Sequence, residues 1–558
     1  MVSVSDQLRH YVSAQEVASV RPREERFIAE IRQLSTDWVA RMCSYLNWSL
    51  EHDELVPNLQ EATIAALSPG TIRDDLLRLY RERGDLFLFE DQLLGVIRAA
   101  ILSGTEDSGG ITDAQRSAFF WALFRYGDLH SAELGEVTDQ DSAARMELRG
   151  LGVAQNSPYG NVLARAYALW LDLPGRAECA ASPYAMDVAA EFAHATGATL
   201  AEYFAVAMTV MAHARDVGVL SPSEALPKWP LEPKSRFASS QCADRLQAAL
   251  DALSGDRDEM RRLFVDVMPP DPRFLGVAMA PFRDRPLYRM RSGRYVLVSE
   301  GLLLDGVYDL AYWRVADHVR EAHGGSPAFL RFTQFFAELL ERYVADLLRS
   351  VYDAGAKRVF VEAEAVPPKG APDVTVFLED RVLMFEVTKT QLRFFDTVLR
   401  GDLASFDADV ARTATKAAQL RDAAAAFRSG AIRYAGHDAD VDRSLPVERV
   451  VVLSQPVPRL EFLTDRLRSA LVTARVEPDA PIVSVGELEE VLQEGDLTRV
   501  STALASWGGD AELRNTSLHN YIYFRGLTVP LSQRAPLIRA NAEALRTRVI
   551  AEMDFRPE

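Results

Sequence analysis

Asp373 and Glu386 stand in the stretch "APDVTVFLEDRVLMFEVTKT", residues 371 to 390, where two β-rich runs flank an acidic turn. A two-residue turn at Asp380-Arg381 sets Glu379 opposite Val382, Thr375 opposite Glu386 and Asp373 opposite Thr388. One face then carries Val374, Val376, Leu378, Leu383, Phe385 and Val387, all apolar. The other carries Asp373, Thr375, Phe377, Met384, Glu386 and Thr388, with the two acids on a diagonal. Carboxylates held that close repel one another unless a cation or a shared proton intervenes. A hard divalent cation bound through oxygens is the chemistry such a pair invites.

Pro372-Asp373 opening one strand, with Glu386 in "MFEVTKT" on its neighbour, resembles the PD-(D/E)xK nuclease superfamily. That family's signature is a Pro-Asp on one strand and an acidic-x-Lys on the next. The helix "FFAELLERYVADLL" is similar to the family's first core helix, which makes Glu341, with Glu338 behind it, the candidate third acid. The helix containing "KAAQL" resembles the second core helix, with Lys416 and Gln419 beside the site. The resemblance covers residues 326 to 495. It implies a restriction-endonuclease-like α/β sandwich with a mixed sheet, in which Asp373, Glu386 and Glu341 hold Mg²⁺ or Mn²⁺. It further implies hydrolysis of phosphodiester bonds, in DNA above all, and a role in defence against phage or foreign DNA.

The family's lysine falls at position 388, which is Thr388 here. Lys389 follows directly, and strand alternation turns it toward the apolar face. A β-bulge after Glu386 delivers Lys389 to the site as the catalytic cation. Alternatively the cation comes from another element, from Lys416 or Lys369, or catalysis is lost and a nuclease-like fold serves to bind nucleic acid or protein. Glu362 and Glu364 in "VFVEAEAV" share a strand face and form a second acidic pair, although a polar strand face is the plainer account.

The elements that must position these residues occupy the second half of the chain. Residues 1–265 read as all-helical, with apolar residues at helical spacing in "RFIAEIRQLSTDWVARMCSYL" and "TLAEYFAVAMTVMAHA", and divide into two sub-bundles near "LGVAQNSPYG". Residues 266–325 form a connector with a hairpin at "RPLYRMRSGRYVLVS" and a helix. Residues 326–495 alternate strand and helix patterns, and residues 496–558 extend to a final helix. The fold class is therefore a helical region followed by an α/β sandwich.

Of 558 residues, 25% are charged and 48% hydrophobic, the balance of a soluble globular protein of several domains. Three scattered cysteines exclude a disulfide framework, and the polar N-terminus lacks the apolar run of a signal peptide, so a cytoplasmic protein without a membrane span is expected. There is no HExxH or Cys-x-x-Cys for zinc, no GxxxxGK[ST] for a nucleotide triphosphate and no GxSxG for a serine nucleophile. The net charge of −18 opposes nucleic acid globally, so any such contact must be local. This balance keeps a third possibility open, a helical adaptor that binds protein through its N-terminal region while the α/β part is structural.

Overall fold

A computed structural model describes residues 23–553, apart from 53–54, 57, 85, 107–110, 134–138, 151–158, 238, 268–278, 390–396, 398–400 and 435–441. The expected division between sub-bundles near residues 151–160 lies largely outside the described residues. The first half is helical. The helices used below are α1 (Thr36–Glu51), α2 (Glu90–Ser103), α3 (Tyr159–Tyr167), α4 (Val188–Thr196) and α5 (Leu200–Gly218). The helix α5 shows how the sequence specifies them. Thr199 caps it by accepting from Glu202 N, the Glu202 side chain accepts in return from Thr199 N, and Leu200, Phe204, Ala207 and Val210 are buried. The hairpin expected in the connector is present, Leu287–Arg289 pairing with Tyr295–Leu297, and a short parallel strand Ser254–Gly255 lies beside it. Next come α6 (Glu300–Asp305), α7 (Ala311–Ala322) and α8 (Ser326–Tyr352). Gly324 and Gly325, both at positive φ, turn the chain between α7 and α8.

The main sheet of the α/β part has five strands, β1 (Val359–Val361), β2 (Val374–Phe377), β3 (Val382–Thr388), β4 (Val447–Leu453) and β5 (Ile482–Ser484), and Ala365–Val366 pairs with Arg433–Tyr434 in a separate two-stranded ribbon. The five lie side by side in chain order. The first three form an antiparallel meander, and β3, β4 and β5 are parallel. Parallel neighbours need crossovers, supplied by α9 (Leu403–Arg428) and α10 (Glu461–Thr473). A short helix α11 (Val485–Val491) and a terminal helix α12 (Pro536–Glu552) follow. The architecture is thus a predominantly helical region joined to an α/β unit with a mixed sheet.

Helix α8 carries Phe332, Phe336, Leu339, Leu340, Tyr343, Leu347 and Val351 in one buried stripe. That stripe packs on the sheet face made by Val374, Val376, Leu383, Phe385 and Val387, as the alternation of these residues predicts. The opposite face is covered too. Phe360, Phe377, Val382 and Met384 pack against Phe406, Val410, Ala417 and Phe427 of α9 and Leu463 and Leu467 of α10. Helix α12 returns to pack on α3, α5 and α8. Arg165 of α3 donates to Glu489 of α11 at 2.8 Å, and Tyr343 of α8 donates to the other carboxylate oxygen at 2.7 Å. The helical region and the α/β unit therefore share one continuous apolar core, with a buried ion pair at their junction.

Candidate functional site

The β2–β3 hairpin departs from the expected register. Phe377 pairs with Val382, and four residues, Leu378 to Arg381, make the connection. Leu378 N donates to Arg381 O at 2.9 Å, and the Arg381 guanidinium reaches Asp380 and, across the sheet, Glu448. These contacts hold the wider turn. The register has moved by two residues, so every side chain keeps its expected face. What changes is the partner. Val374 faces Phe385, and one step further the same register sets Asp373 opposite Glu386, where Thr388 was expected. The Asp373 carboxylate accepts from Val387 N at 2.7 Å, which ties it to the strand carrying Glu386.

The cation at this pair is Lys416. It projects from α9 onto the β3 face that carries Met384 and Glu386, and its Nζ lies 2.7 Å from Glu386 Oε1. Glu386 is nearly buried, and Lys416 is about a third exposed. Burial lowers the affinity of Lys416 for its proton, but the bond to Glu386 and the fields of Asp373 and Glu341 outweigh it, holding the ammonium above its ordinary range. Burial, then repulsion by Glu386, pushes the Asp373 carboxyl up to about 7. Burial, then repulsion by Asp373, pushes Glu341 up to about 8, so α8 does bring Glu341 into the field of the pair. Glu362 joins this field and is raised by burial and by Glu386. Two carboxyl groups that resist ionisation near neutral pH beside a third, paired one form an arrangement that takes up a cation or retains protons.

Other sequence-derived candidates stand elsewhere. No bulge interrupts β3 on its β4 side, because Val382 to Thr388 pair consecutively with Val447 to Leu453. Alternation therefore puts Lys389 in step with Phe385 and Val387, away from Glu386, and the bulge expectation is corrected. Burial alone pushes Lys389 down to about 8. Thr388 ends β3, and its carbonyl accepts from Ser454 N at 3.1 Å. Gln419 and Lys369 are exposed. Glu362 and Glu364 do not share a strand face as expected. Both lie in a single 3₁₀ turn after β1, and Glu364 pairs with Lys357 and Arg349. The side chain of Glu364 also accepts from Val361 N, which stabilises the turn over continued strand.

The donor set of Asp373, Glu386, Glu341 and Glu362 is all carboxylate oxygen, which suits Mg²⁺ or Mn²⁺. Asp373, Glu386 and Glu341 do not, however, bring three ligand oxygens within 4.8 Å of one another. Among the described residues, two other groups meet that separation, Glu191/His194/His318 and Glu51/His52/Glu300.

The second of these groups is a buried acidic cluster that sequence reasoning missed. Glu51 ends α1, Glu90 and Asp91 begin α2, and Glu300 begins α6. The Ser299 hydroxyl lies 2.7 Å from Glu51 Oε1 and 3.2 Å from Glu90 Oε1. Glu300 Oε2 accepts from Trp48 Nε1 at 3.1 Å and sits 3.0 Å from His52 Nε2. Burial, then the hydrogen bond from Ser299 and repulsion by Glu300, leave Glu51 at about 7. Burial, then repulsion by Glu51, pushes Glu90 up to about 8. About 250 residues separate Glu51 from Glu300, so no local motif joins them.

No family model matches the chain, and neither a curated protein nor a solved structure matches it.

Proposed function

We propose that the chain is a metal-dependent nuclease of the PD-(D/E)xK type, with residues 326–495 as its catalytic unit. One observation carries the reading. A helix, a three-stranded antiparallel meander, a crossover helix and a parallel strand bring Asp373, Glu386 and Lys416 together on one sheet face. That order of elements and that trio are what the resemblance at Pro372-Asp373 and Glu386 calls for, with Lys416 taking the part of the missing strand lysine.

In this reading Asp373 and Glu386 hold Mg²⁺ or Mn²⁺, with Glu341 beside them. The ion's contribution when bound is to polarise the phosphodiester and acidify water. The remaining work belongs to the protein. Lys416 opposes the charge that grows on the phosphate oxygens in the transition state. Glu341, raised to about 8 by burial and by Asp373, gives up its proton to join Asp373 and Glu386 as the third carboxylate when the ion binds. The helical region, which shares its core with this unit, presents the substrate or senses a partner, in keeping with a role in defence against foreign DNA.

The test is a cleavage assay on double- and single-stranded DNA and on RNA, each with Mg²⁺ and with Mn²⁺. Wild type should cut at least one substrate, and Asp373→Ala and Glu386→Ala should not, while keeping wild-type circular dichroism. A second reading is a binding module on a nuclease-like fold. It is favoured by Thr388 in the lysine position, by the absence of three ligand oxygens within 4.8 Å of one another among Asp373, Glu386 and Glu341, and by the net charge of −18. Absence of cutting on every substrate, with retained binding of one of them, would favour that reading.

A further inference from the structure

A second constellation lies far from the sheet, where α4 packs against α7. Glu191 and His194, three residues apart on α4, share one helical face. His318 projects from α7 toward them, and His323 follows the end of α7, just before Gly324 and Gly325. His318 Nε2 lies 3.4 Å from Glu191 Oε2, and His323 Nε2 lies 3.0 Å from both Glu191 oxygens. The His194 and His318 rings stand 6.0 Å apart, and those of His318 and His323 stand 6.2 Å apart. Glu191, His194 and His318 each offer a ligand atom, and these atoms all lie within 4.8 Å of one another.

The spacing can be compared with what a tetrahedral ion requires. With zinc–ligand bonds of about 2.0–2.1 Å, ligand atoms on a tetrahedron are roughly 3.3 Å apart. The His318–Glu191 separation already has that value, and a ligand atom of His194 lies within 4.8 Å of both. The chemistry points the same way. Imidazole nitrogens with one carboxylate select zinc and similar transition ions, whereas magnesium and calcium prefer oxygen alone. Glu191 is largely buried, and its ion-pair partners among the described residues are both histidines, which are not permanent cations. Three of the nine histidines in the chain converge on this one carboxylate.

We propose that Glu191, His194 and His318 form a zinc site that staples α4 to α7, and that His323, which reaches Glu191 but stands outside the 4.8 Å group, closes on the ion as the fourth ligand. Four protein ligands leave no open position, so the ion is structural. It fixes the end of the helix that leads through Gly324-Gly325 into α8, the helix carrying Glu341. Sequence inspection overlooked the site because its halves lie more than a hundred residues apart and neither matches a zinc motif.

The experiment uses the full chain, stripped of metal by a chelator and then titrated with ZnCl₂ by calorimetry. Thermal unfolding is followed with and without the ion, and Co²⁺ serves as a spectroscopic stand-in. Wild type should bind one equivalent at this site, gain thermal stability with Zn²⁺, and give the intense visible bands of tetrahedral Co²⁺. His318→Ala should lower zinc affinity by more than the roughly 10–100-fold that loss of a merely supporting partner costs. Glu191→Gln, which keeps the side-chain shape, should do the same, and this second variant keeps the test valid if His318→Ala fails to fold. Asp373→Asn should bind this equivalent as wild type does, which separates the site from the candidate nuclease centre. Lack of zinc uptake by wild type, or uptake unchanged in Glu191→Gln, overturns the proposal.

Discussion

Lys416 Nζ lies 2.7 Å from Glu386 Oε1, so the cation at the acidic pair arrives from the crossover helix and not from the strand itself. Lys416→Ala should therefore slow cleavage by roughly 10²–10³-fold, the usual cost of removing a group that stabilises transition-state charge. Lys389→Ala should cut at close to the wild-type rate. Single-turnover rates at saturating Mn²⁺ decide between them, with thermal unfolding to confirm that both variants fold. A slow Lys389→Ala and a normal Lys416→Ala would return the role to the strand.

Asp373→Asn should abolish the calorimetric signal of Mn²⁺ at this site, because it removes the carboxylate that faces Glu386. The wild-type affinity should also depend on pH. Asp373 titrates at about 7 and Glu341 at about 8, and each must lose its proton to meet the ion. Apparent affinity thus rises as pH increases through that range, with protons released on binding. Titrations in buffers of different ionisation heat measure the release. A proton count of zero at neutral pH would mean that the carboxyls are already ionised and that the electrostatic account is wrong.

Much of this site was legible in residues 371–390, for a specific reason. Alternation has a period of two, so Val374, Val376, Phe385 and Val387 declare their shared face for any turn with an even number of residues. Turn length was not legible, because it depends on Arg381 reaching Glu448, which lies 67 residues away in sequence. The choice between Lys389 and Lys416 was left open for the same kind of reason. It is decided by which sheet face α9 covers, a tertiary fact. Clusters such as Glu51–Glu300 and Glu191–His318 are assembled from helices that carry no mark of one another, and only the packed structure reveals them.

Phe385 is fully buried in the face that meets α8. Phe385→Ala should cost about 3–5 kcal/mol, through lost transfer energy and the cavity left behind. Chemical denaturation at constant slope is the appropriate measurement. A midpoint that barely moves would mean that α8 does not press on this face.

Arg165 and Glu489 form a buried pair, with both side chains almost wholly out of solvent. Removing one partner strands the other charge, so Glu489→Gln should destabilise by about 3–5 kcal/mol. The double change Arg165→Met with Glu489→Leu should cost less than the two single changes summed, since it removes both desolvated charges together. Denaturation of the three variants tests this, and strict additivity would show that the pair is not coupled.

The buried cluster of Glu51 and Glu90 makes stability depend on pH in a direction opposite to ordinary acid denaturation. In the folded protein these groups titrate at about 7 and about 8, against an ordinary value of 4.5. Between those limits the native state holds protons that the unfolded chain has released. The slope of unfolding free energy with pH is then negative. The stabilisation is complete below about 4.5 and is lost as pH rises through 7 and 8. The melting temperature should accordingly fall between about pH 5.5 and pH 8.5. Asp373 and Glu341 contribute with the same sign, so the wild-type slope alone does not identify its source. Glu90→Gln does, because an amide mimics the protonated acid beside the Ser299 hydroxyl and Glu51. That variant should melt close to wild type at the acidic end and above it at the alkaline end, with a flatter profile, whereas Asp373→Asn should keep the part of the slope due to the cluster. If Glu90→Gln follows the wild-type profile throughout, the buried carboxyls of α1 and α2 are ionised in the native state, and the cluster must contain a permanent positive charge.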